Sequence, residues 1–211
     1  MIKETQNFFS LLGIAKNPLQ KNGVLTQKYG NGKIKIQGNV SSGFREGVWK
    51  FYYKNGSIYA SGKYIKGKKH GQWVFYHQNR RIKQKEYYNE NVKNGRWVTY
   101  YDNGEVLIDG HYNENKKDGL FIEYYKNGNI KIEKSYSNGV KTKPDLWYDE
   151  SGLIKFEGKR DKGNENGKQT EYFESNRIKS EFYYKNGNPT GIWFWYDEDR
   201  NIIRKKSYIQ R

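Results

Sequence analysis

The stretch Gly47-Val48-Trp49-Lys50-Phe51-Tyr52-Tyr53-Lys54-Asn55-Gly56-Ser57-Ile58 decides the fold. Trp49, Phe51 and Tyr53 alternate with Lys50 and Tyr52, so large apolar side chains recur with a period of two. Successive side chains of a β-strand point to opposite faces, and an alternation of this kind is typical of a strand. The first half of the stretch therefore predicts a β-strand.

A turn and a second strand are expected to follow. Asn55-Gly56 predicts a tight hairpin turn, because both residue types tolerate the positive φ that such turns require. The second strand then carries Ile58 and Tyr64, and the segment 66–71 is expected to be a longer turn into the next unit. No helical periodicity is present, so the predicted local unit is a β-hairpin.

The hairpin sequence recurs every 24 residues. Glycine starts seven units, and one gap is 48 residues because Lys143 stands where a glycine is expected. Eight units therefore start at residues 23, 47, 71, 95, 119, 143, 167 and 191. One column is aliphatic in every unit: Ile34, Ile58, Ile82, Val106, Ile130, Ile154, Ile178 and Ile202. A column that keeps its chemistry through eight units excludes a chance repeat.

Stacked hairpins without connecting helices predict an all-β protein. The expected architecture is an elongated single-sheet antiparallel meander of about eight hairpin repeats and about 16 strands. Residues 23–211 form the repeats, and residues 1–22 are the expected N-terminal cap segment. The ends of such a sheet pair readily with other strands, so end-to-end dimers are an open alternative to a monomer.

The composition favours a thin core built from aromatic rings. The 211 residues include 20 tyrosines, ten phenylalanines and six tryptophans, although the mean hydropathy is −1.14. Disordered chains of similar hydropathy are poor in aromatic residues. No stretch approaches the roughly 18 apolar residues of a membrane-spanning helix, so no transmembrane segment is expected. The absence of cysteine excludes disulfides and thiolate chemistry.

The expected compartment is the cytoplasm, because a chain without cysteine fits reducing surroundings. The apolar run 8–15 lies at the lower length limit for the core of a signal peptide. The segment before it is nearly neutral, and Lys16-Asn17-Pro18 makes a poor cleavage site. Export is therefore the less favoured alternative.

The sequence lacks a catalytic constellation, so the protein is expected not to be an enzyme and to use no cofactor. Its three histidines, His70, His77 and His111, do not show the spacing of metal ligands, so no metal site is expected. The cluster Asp197-Glu198-Asp199 falls on a hairpin turn, where acidic residues satisfy turn geometry. The repeat glycines lack the Lys-Ser/Thr pair and the helix of a phosphate-binding loop.

Positive charge is concentrated in the first half of the chain. The net charge is +16, and residues 1–94 carry +14 of it, with 18 Lys or Arg against four Asp or Glu. Such an excess attracts acidic partners, and lysines among aromatic rings also suit phospholipid headgroups or nucleic acid. The alternative is that lysine only keeps the turns soluble.

The columns resemble the MORN repeat, and more closely its bacterial variant with a 24-residue period. The shared pattern is G-x-W-x-x-Y-Y-x-N-G, followed by a second glycine, a tyrosine and a G-K turn, over residues 23–211. Two units depart from it. Lys143-Pro144-Asp145 replaces Gly-x-Trp, and Gln169 replaces a tryptophan, which predicts a polar stretch in the tryptophan column.

The resemblance implies a scaffold that binds proteins and, for some members, an association with anionic lipids at membranes. Bacterial chains built only of the variant are commonly grouped as antitoxin-like proteins. The expected function is therefore non-catalytic binding of a protein partner, such as a toxin or effector that the protein neutralises in an antitoxin- or immunity-like role. The alternative is a basic surface in the N-terminal half that binds anionic phospholipid or nucleic acid.

The expected partner-binding surface is an aromatic stripe with a basic rim. The aromatic members are Trp49, Phe51, Tyr53, Trp73, Phe75, Trp97 and Tyr101, and the basic members are Lys50, Lys68, Lys69, Arg80 and Arg81. A single sheet cannot cover both of its faces, and exposed aromatic residues with a charged rim are typical of interfaces. The open alternative is that the stripe is simply the core of the sheet.

Overall fold

The computed structural model describes residues 21–161 and 164–208, so most of the expected cap segment 1–22 and all of the run 8–15 lie outside the described residues. The described chain contains twenty β-strands and no helix. The strands are β1 (Gly23–Lys28), β2 (Ile34–Ser41), β3 (Phe44–Tyr52), β4 (Ile58–Ile65), β5 (Lys68–Tyr76), β6 (Ile82–Asn89), β7 (Val92–Lys93), β8 (Gly95–Tyr100), β9 (Val106–Asn113), β10 (Lys116–Lys117), β11 (Gly119–Tyr124), β12 (Ile130–Ser137), β13 (Val140–Lys141), β14 (Asp145–Tyr148), β15 (Ile154–Asp161), β16 (Asn164–Tyr172), β17 (Ile178–Lys185), β18 (Asn188–Pro189), β19 (Ile192–Tyr196) and β20 (Ile202–Ser207).

The chain divides into two compact units. The first is described over residues 21–80 and 88–92, and the second over 81–87, 93–161 and 164–208. In the first unit, β1 to β5 pair antiparallel in chain order. In the second unit, the long strands β8, β9, β11, β12, β14, β15, β16, β17, β19 and β20 do the same. The predicted all-β antiparallel meander is confirmed within each unit.

The number of strands exceeds 16 because four of them, β7, β10, β13 and β18, have only two residues. Each of the four stands one to three residues before the next long strand. The corresponding stretch is continuous in β3, β5 and β16, which have nine residues each. Each two-residue strand is therefore the first part of the long strand that follows it, from which one to three residues separate it.

The hairpins within the repeats share one register. The last residue of the first strand pairs with the aliphatic column directly after a register shift: Lys28 with Ile34, Tyr52 with Ile58, Tyr100 with Val106, Tyr124 with Ile130, Tyr148 with Ile154, Tyr172 with Ile178 and Tyr196 with Ile202. A β-bulge is thus repeated at the same place in seven hairpins. The aliphatic column of the sequence marks the first residue of each returning strand.

Asn55-Gly56 lies in a tight hairpin turn, as the sequence predicts. Tyr53 N donates to Ser57 O at 2.8 Å, and Gly56 N donates to Tyr53 O at 2.9 Å. Only the glycine of the pair has a positive φ, at 90°. This is a three-residue loop in which the last residue forms a left-handed bulge, a common hairpin connection. The Asn55 side chain stabilises it by accepting a bond from Ser57 N at 2.9 Å.

The prediction of a longer turn over residues 66–71 is wrong. Lys66 (φ 48°) and Gly67 (φ 77°) form a two-residue connection with two positive φ angles, the geometry of a type I′ turn. Strand β5 begins directly after it, at Lys68. Gly71 (φ 68°) was expected to belong to this turn, but it lies in a β-bulge of β5. Neighbouring Gly62 and Lys63 pair with Trp73 and His70, so the register shifts between these two pairs.

In the first unit, Trp49 and Trp73 each lie on a glycine of the preceding repeat. A Cβ atom built on Gly38 would lie 2.3 Å from the Trp49 ring, and one on Gly62 would lie 2.2 Å from the Trp73 ring. Both tryptophans are only 1% exposed. We define the aromatic face as the sheet face that carries Trp49 and Trp73 in the first unit and the repeat-equivalent Trp97 and Phe121 in the second.

Tyrosines also connect each repeat to the next. The hydroxyl at the hairpin loop donates to a backbone carbonyl 23 residues further on: Tyr29 to Tyr52 at 2.5 Å, Tyr53 to Tyr76 at 2.8 Å, Tyr101 to Tyr124 at 2.7 Å and Tyr125 to Tyr148 at 2.8 Å. These bonds tie neighbouring loops at one edge of the repeats, while the tryptophans pack in the middle.

Replacing Gly62 by alanine is expected to lower the free energy of unfolding by about 3 kcal/mol, because the new methyl group must displace the buried Trp73 ring. Urea denaturation followed by tryptophan fluorescence measures the change. Gly30→Ala is the control, since nothing lies within 4 Å of its Cβ position, and its effect should stay within about 0.5 kcal/mol. Equal destabilisation by both variants would contradict this account of the core.

Candidate functional site

The structure places much of the predicted aromatic stripe inside the core. Trp49 and Trp73 are 1% exposed and Phe51 is 5% exposed, whereas Tyr53 and Phe75 are half-buried. In the second unit, Trp97 and Tyr101 are also half-buried. The most buried members pack on tyrosines of the second strand, as in the edge-to-face contact of Tyr64 with Trp73 at 5.0 Å. Their surface is therefore not available to a partner.

The predicted basic rim is distributed over several places. Lys50 alternates with buried Trp49 and Phe51 in β3, so it lies on the opposite face. The remaining members have different neighbours: Lys68 pairs with Glu90 at 2.7 Å, Lys69 lies over the Trp73 ring, Arg80 is an exposed loop residue with a φ of 69°, and Arg81 donates to Asp102 O at 3.0 Å. Of these positions, the one at Lys69 is on the aromatic face.

A row of cations covers the aromatic face, and the sequence analysis missed it. We define the cation row as Arg45 and Lys69 in the first unit and Lys93, Lys117 and Lys141 in the second. Each stands two residues before the start of a repeat, so five successive repeats share the feature. The signal was present as a basic column with the 24-residue period. The aromatic and aliphatic columns do not reveal it, because the basic residues stand before the residue that starts each repeat.

In the first unit the row lies directly on the buried rings. The Arg45 guanidinium is 4.6 Å from the centre of the Trp49 ring, and its Nη1 donates to the Tyr64 hydroxyl at 3.1 Å. The Lys69 ammonium is 4.5 Å from Trp73 and 4.7 Å from Tyr88. Each such contact contributes about 0.5–2 kcal/mol, depending on how far water is excluded. The cations thus cover the tryptophans and present positive charge to solvent.

The row continues in the second unit among acidic side chains. Lys93 is 2.7 Å from Glu86, and Lys141 is 2.5 Å from Asp145. The Lys117 ammonium lies 4.8 Å from Phe121 and 5.0 Å from Tyr136. Burial lowers the pKa of Lys117, and the neighbouring lysines lower it further. The charge of this part of the face is therefore mixed.

The predicted polar stretch of the tryptophan column is confirmed, and it is buried. Gln169 is 1% exposed and lies over Gly158, and its Nε2 donates to Lys159 O at 2.9 Å. Trp49 makes the same bond with its indole nitrogen, to Asn39 O at 3.0 Å. A glutamine amide here reproduces the hydrogen bond of the indole and fills part of its space.

Asp145 replaces the tryptophan in a different way. It is 2% exposed, its Oδ2 accepts the bond from Lys141, and its Oδ1 has no hydrogen-bond partner. The position that is glycine at Gly38 and Gly62 is Lys134 in the repeat before Asp145. A side chain also occupies the equivalent position before two tryptophans, Glu86 before Trp97 and Phe182 before Trp193, so the loss of the glycine does not by itself account for Asp145.

The opposite face of the second unit carries acidic residues that accept bonds from tyrosines. Tyr172 donates to Glu157 Oε2 at 2.9 Å, and Tyr196 donates to Glu181 Oε2 at 3.1 Å. Burial, together with the bond to Glu157, raises the pKa of Tyr172 to about 12. The two faces of this unit thus differ in chemistry, with lysines over rings on one and carboxylates beside tyrosines on the other.

Tyr172 should contribute to stability only while its hydroxyl stays protonated. The folded-state pKa of about 12 exceeds the usual tyrosine pKa of 10.0, so this contribution is complete below pH 10 and is lost as the pH rises towards 12. Urea denaturation across that range should show a smaller loss of unfolding free energy for Tyr172→Phe than for the unmodified protein. The same pH slope in both proteins would contradict the assignment.

Together, the repeated register, the interlocked tryptophans and the cation row define a β-hairpin repeat protein whose units pack on their neighbours. The family model described as MORN repeat variant matches residues 45–66, 93–114, 117–138 and 165–186. The chain therefore carries MORN repeat variants, as the sequence columns predicted. MORN repeats generally build non-catalytic scaffolds. No curated protein matches the chain.

Within residues 21–161 and 164–208, the structure shows no helix of the length and apolarity needed to cross a bilayer. In the same ranges, no group of three or more His, Asp or Glu side chains is placed to hold a metal ion.

Proposed function

We propose that this protein is a non-catalytic repeat scaffold that binds an acidic protein partner on the aromatic face. The observation that carries the proposal is the cation row, whose members Arg45, Lys69 and Lys117 lie over aromatic rings. The MORN repeat variants support it, because repeats of this kind serve as scaffolds that bind proteins or membranes. The proposed contact surface is therefore the cation row, in place of the rings that were predicted from the sequence and are buried beneath it.

The geometry of the row suits recognition of carboxylates. A cation that already rests on a ring has given up much of its side-chain freedom, so binding costs less conformational entropy. The rings also exclude part of the water from one side of Arg45 and Lys69, which strengthens attraction to an incoming charge. Arg45 is further held by its bond to the Tyr64 hydroxyl, so it is pre-positioned.

A protein partner fits this face better than a nucleic acid does. In the second unit Glu86, Glu123 and Asp145 interrupt the positive charge. A continuous phosphate backbone would be repelled at these places, whereas separate carboxylates of a protein can meet separate cations. This argument favours the protein-binding function over nucleic-acid binding on the aromatic face.

Arg45→Met with Lys69→Met should weaken capture of the partner, because the variant keeps much of the apolar stem but loses both charges. The measurement is a tagged pull-down from nuclease-treated native lysate at low and high salt, read by mass spectrometry. Lys50→Met with Lys54→Met is the matched control, since it removes two charges from exposed positions away from the aromatic face. We expect one stoichiometric protein that survives high salt, retained by the control and lost by the first variant.

Equal losses in both double variants would contradict the role of the aromatic face. Absence of any protein that survives high salt would overturn the proposed function itself. Thermal unfolding of each variant by circular dichroism separates lost binding from lost structure.

The finer proposal is an antitoxin- or immunity-like role in which the partner is a toxin. It rests on the resemblance to bacterial chains built of the same repeat. Co-expression with a toxic protein encoded beside this gene should restore growth, and Arg45→Met with Lys69→Met should abolish the protection. A neighbouring toxin against which the unmodified chain gives no protection would refute this role and leave the scaffold function standing.

The second candidate function is binding of anionic phospholipid or nucleic acid by the first half of the chain. The observation in its favour is the exposure of Lys50, Lys54, Lys63, Lys66 and Lys68 in a segment of high positive charge. Binding of this type falls steeply with salt, by about 0.9 log units per phosphate contacted on duplex DNA. Vesicles of phosphatidylcholine with and without phosphatidylserine, and a DNA duplex, test it directly. Salt-insensitive or absent binding refutes it.

A further inference from the structure

An open recess of about 90 Å³ lies on the aromatic face of the second unit. Its lining combines apolar side chains with two ammonium groups: Trp97, Ile108, Phe121, Ile132, Lys117 and Lys134. At the equivalent place in the first unit, Trp73 rests on Gly62. Here Lys134 and Asp145 stand in place of that glycine and that tryptophan, so the recess adjoins the break in the column.

The positive charge of the recess is not balanced by its own carboxylates. Glu123, which also lines it, pairs with Lys131 at 2.7 Å, and Asp145 pairs with Lys141 at 2.5 Å. In the described part of the chain, no carboxylate lies within ion-pair distance of Lys117 or Lys134. Two ammonium groups without an ion-pair partner among the described residues therefore border an apolar recess, while the nearby carboxylates, Glu123 and Asp145, pair with other lysines.

Nearby polar groups are also left without partners. The Trp97 indole nitrogen is buried and has no hydrogen-bond acceptor, whereas Trp49 and Trp73 both donate to a backbone carbonyl. Buried Asp145 Oδ1 is likewise unpartnered. Burying such groups without a partner is unfavourable. Lys117 carries a further cost, because burial and the charges of Lys134 and Lys141 lower its pKa.

We propose that this recess binds an acidic side chain of the partner polypeptide, together with a large apolar side chain next to it in the partner sequence. The carboxylate lies between Lys117 and Lys134, and the apolar group covers Phe121 and Trp97. The inference rests on the proposed function, because it names the chemistry that a protein partner presents to one site of the aromatic face.

A single carboxylate attached to an apolar segment suits the recess better than phosphate does. Its one negative charge meets two ammonium groups, while the pairs at Glu123 and Asp145 stay intact. A phosphate dianion would be repelled more strongly by the same carboxylates. The apolar walls give a peptide side chain contact area that a small inorganic ion cannot use.

Nuclear magnetic resonance of the full chain, labelled with ¹³C at lysine Cε, tests the inference. The probe is acetyl-Leu-Glu-Phe-amide, compared with acetyl-Leu-Gln-Phe-amide, which has the same shape without the charge. The glutamate peptide should shift the Lys117 and Lys134 signals and raise the pKa of Lys117. Loss of a charge-assisted bond corresponds to at least about tenfold weaker binding, so the glutamine peptide should bind weaker by that factor.

Lys134→Met and Lys117→Met each should reduce the affinity for the glutamate peptide by about tenfold. Lys143→Met is the matched control, because it removes one exposed positive charge that is not part of the recess lining. The affinity of Lys143→Met for the glutamate peptide should equal that of the unmodified chain. Circular dichroism establishes that each variant is folded, and Lys134→Met keeps the test decisive if Lys117→Met unfolds through loss of its ring contacts.

Equal binding of the glutamine peptide, or an equal effect of Lys143→Met, overturns the inference. Displacement of the glutamate peptide by an equal concentration of inorganic phosphate would show a general anion site and overturns it as well. If the peptide fails while the partner is still captured through Arg45 and Lys69, the inference falls and the proposed function stands. If the peptide binds as expected but no captured protein survives high salt, the inference about the recess stands and the proposed function falls.

Discussion

The packing of the first unit depends on one contact, in which the indole of one repeat lies on a bare glycine of the repeat before it. The ring atoms of Trp49 and Trp73 occupy the space where a Cβ of Gly38 or Gly62 would stand. The second glycine of the repeat is therefore required for room and not for a turn. Because the two partners belong to different repeats, the core lies between repeats and no hairpin holds it alone. Gln169 on Gly158 keeps the same arrangement with an amide in place of the indole.

The cations complete this core, and this links stability to surface charge. A single sheet has no second layer to cover its aromatic face. Arg45 and Lys69 supply that cover with their stems and their charged ends over the rings. The positive charge that a partner meets is thus a consequence of burying tryptophan in a one-layer fold. Removing a cation from the row therefore affects packing as well as recognition.

The sequence was sufficient to predict the hairpins but not the types of turn. The Ile58 column specified where each second strand begins, and the pairing of Ile58 with Tyr52 agrees with it. The loop at Asn55-Gly56 and the connection at Lys66-Gly67 both contain a glycine after a polar residue. The two-residue connection is the one at Lys66-Gly67, where both φ angles are positive. Residue types alone do not distinguish these cases. Alternation likewise assigns Trp49 to a face without showing what covers that face, so its burial beneath Arg45 could not be deduced.

The interlock between repeats also determines how such a chain can change length. Deletion or duplication of 24 residues joins two equivalent points of the period, so a ring again meets the column that held a glycine. An insertion of another length shifts a lysine or glutamine beneath the indole and opens the core. The new joint must in addition match its neighbours, because a ring packed as closely as Trp73 on Gly62 leaves no space for a Cβ atom beneath it. Gene rearrangement that adds or removes whole repeats therefore preserves this packing where the new joint again places a ring on a glycine.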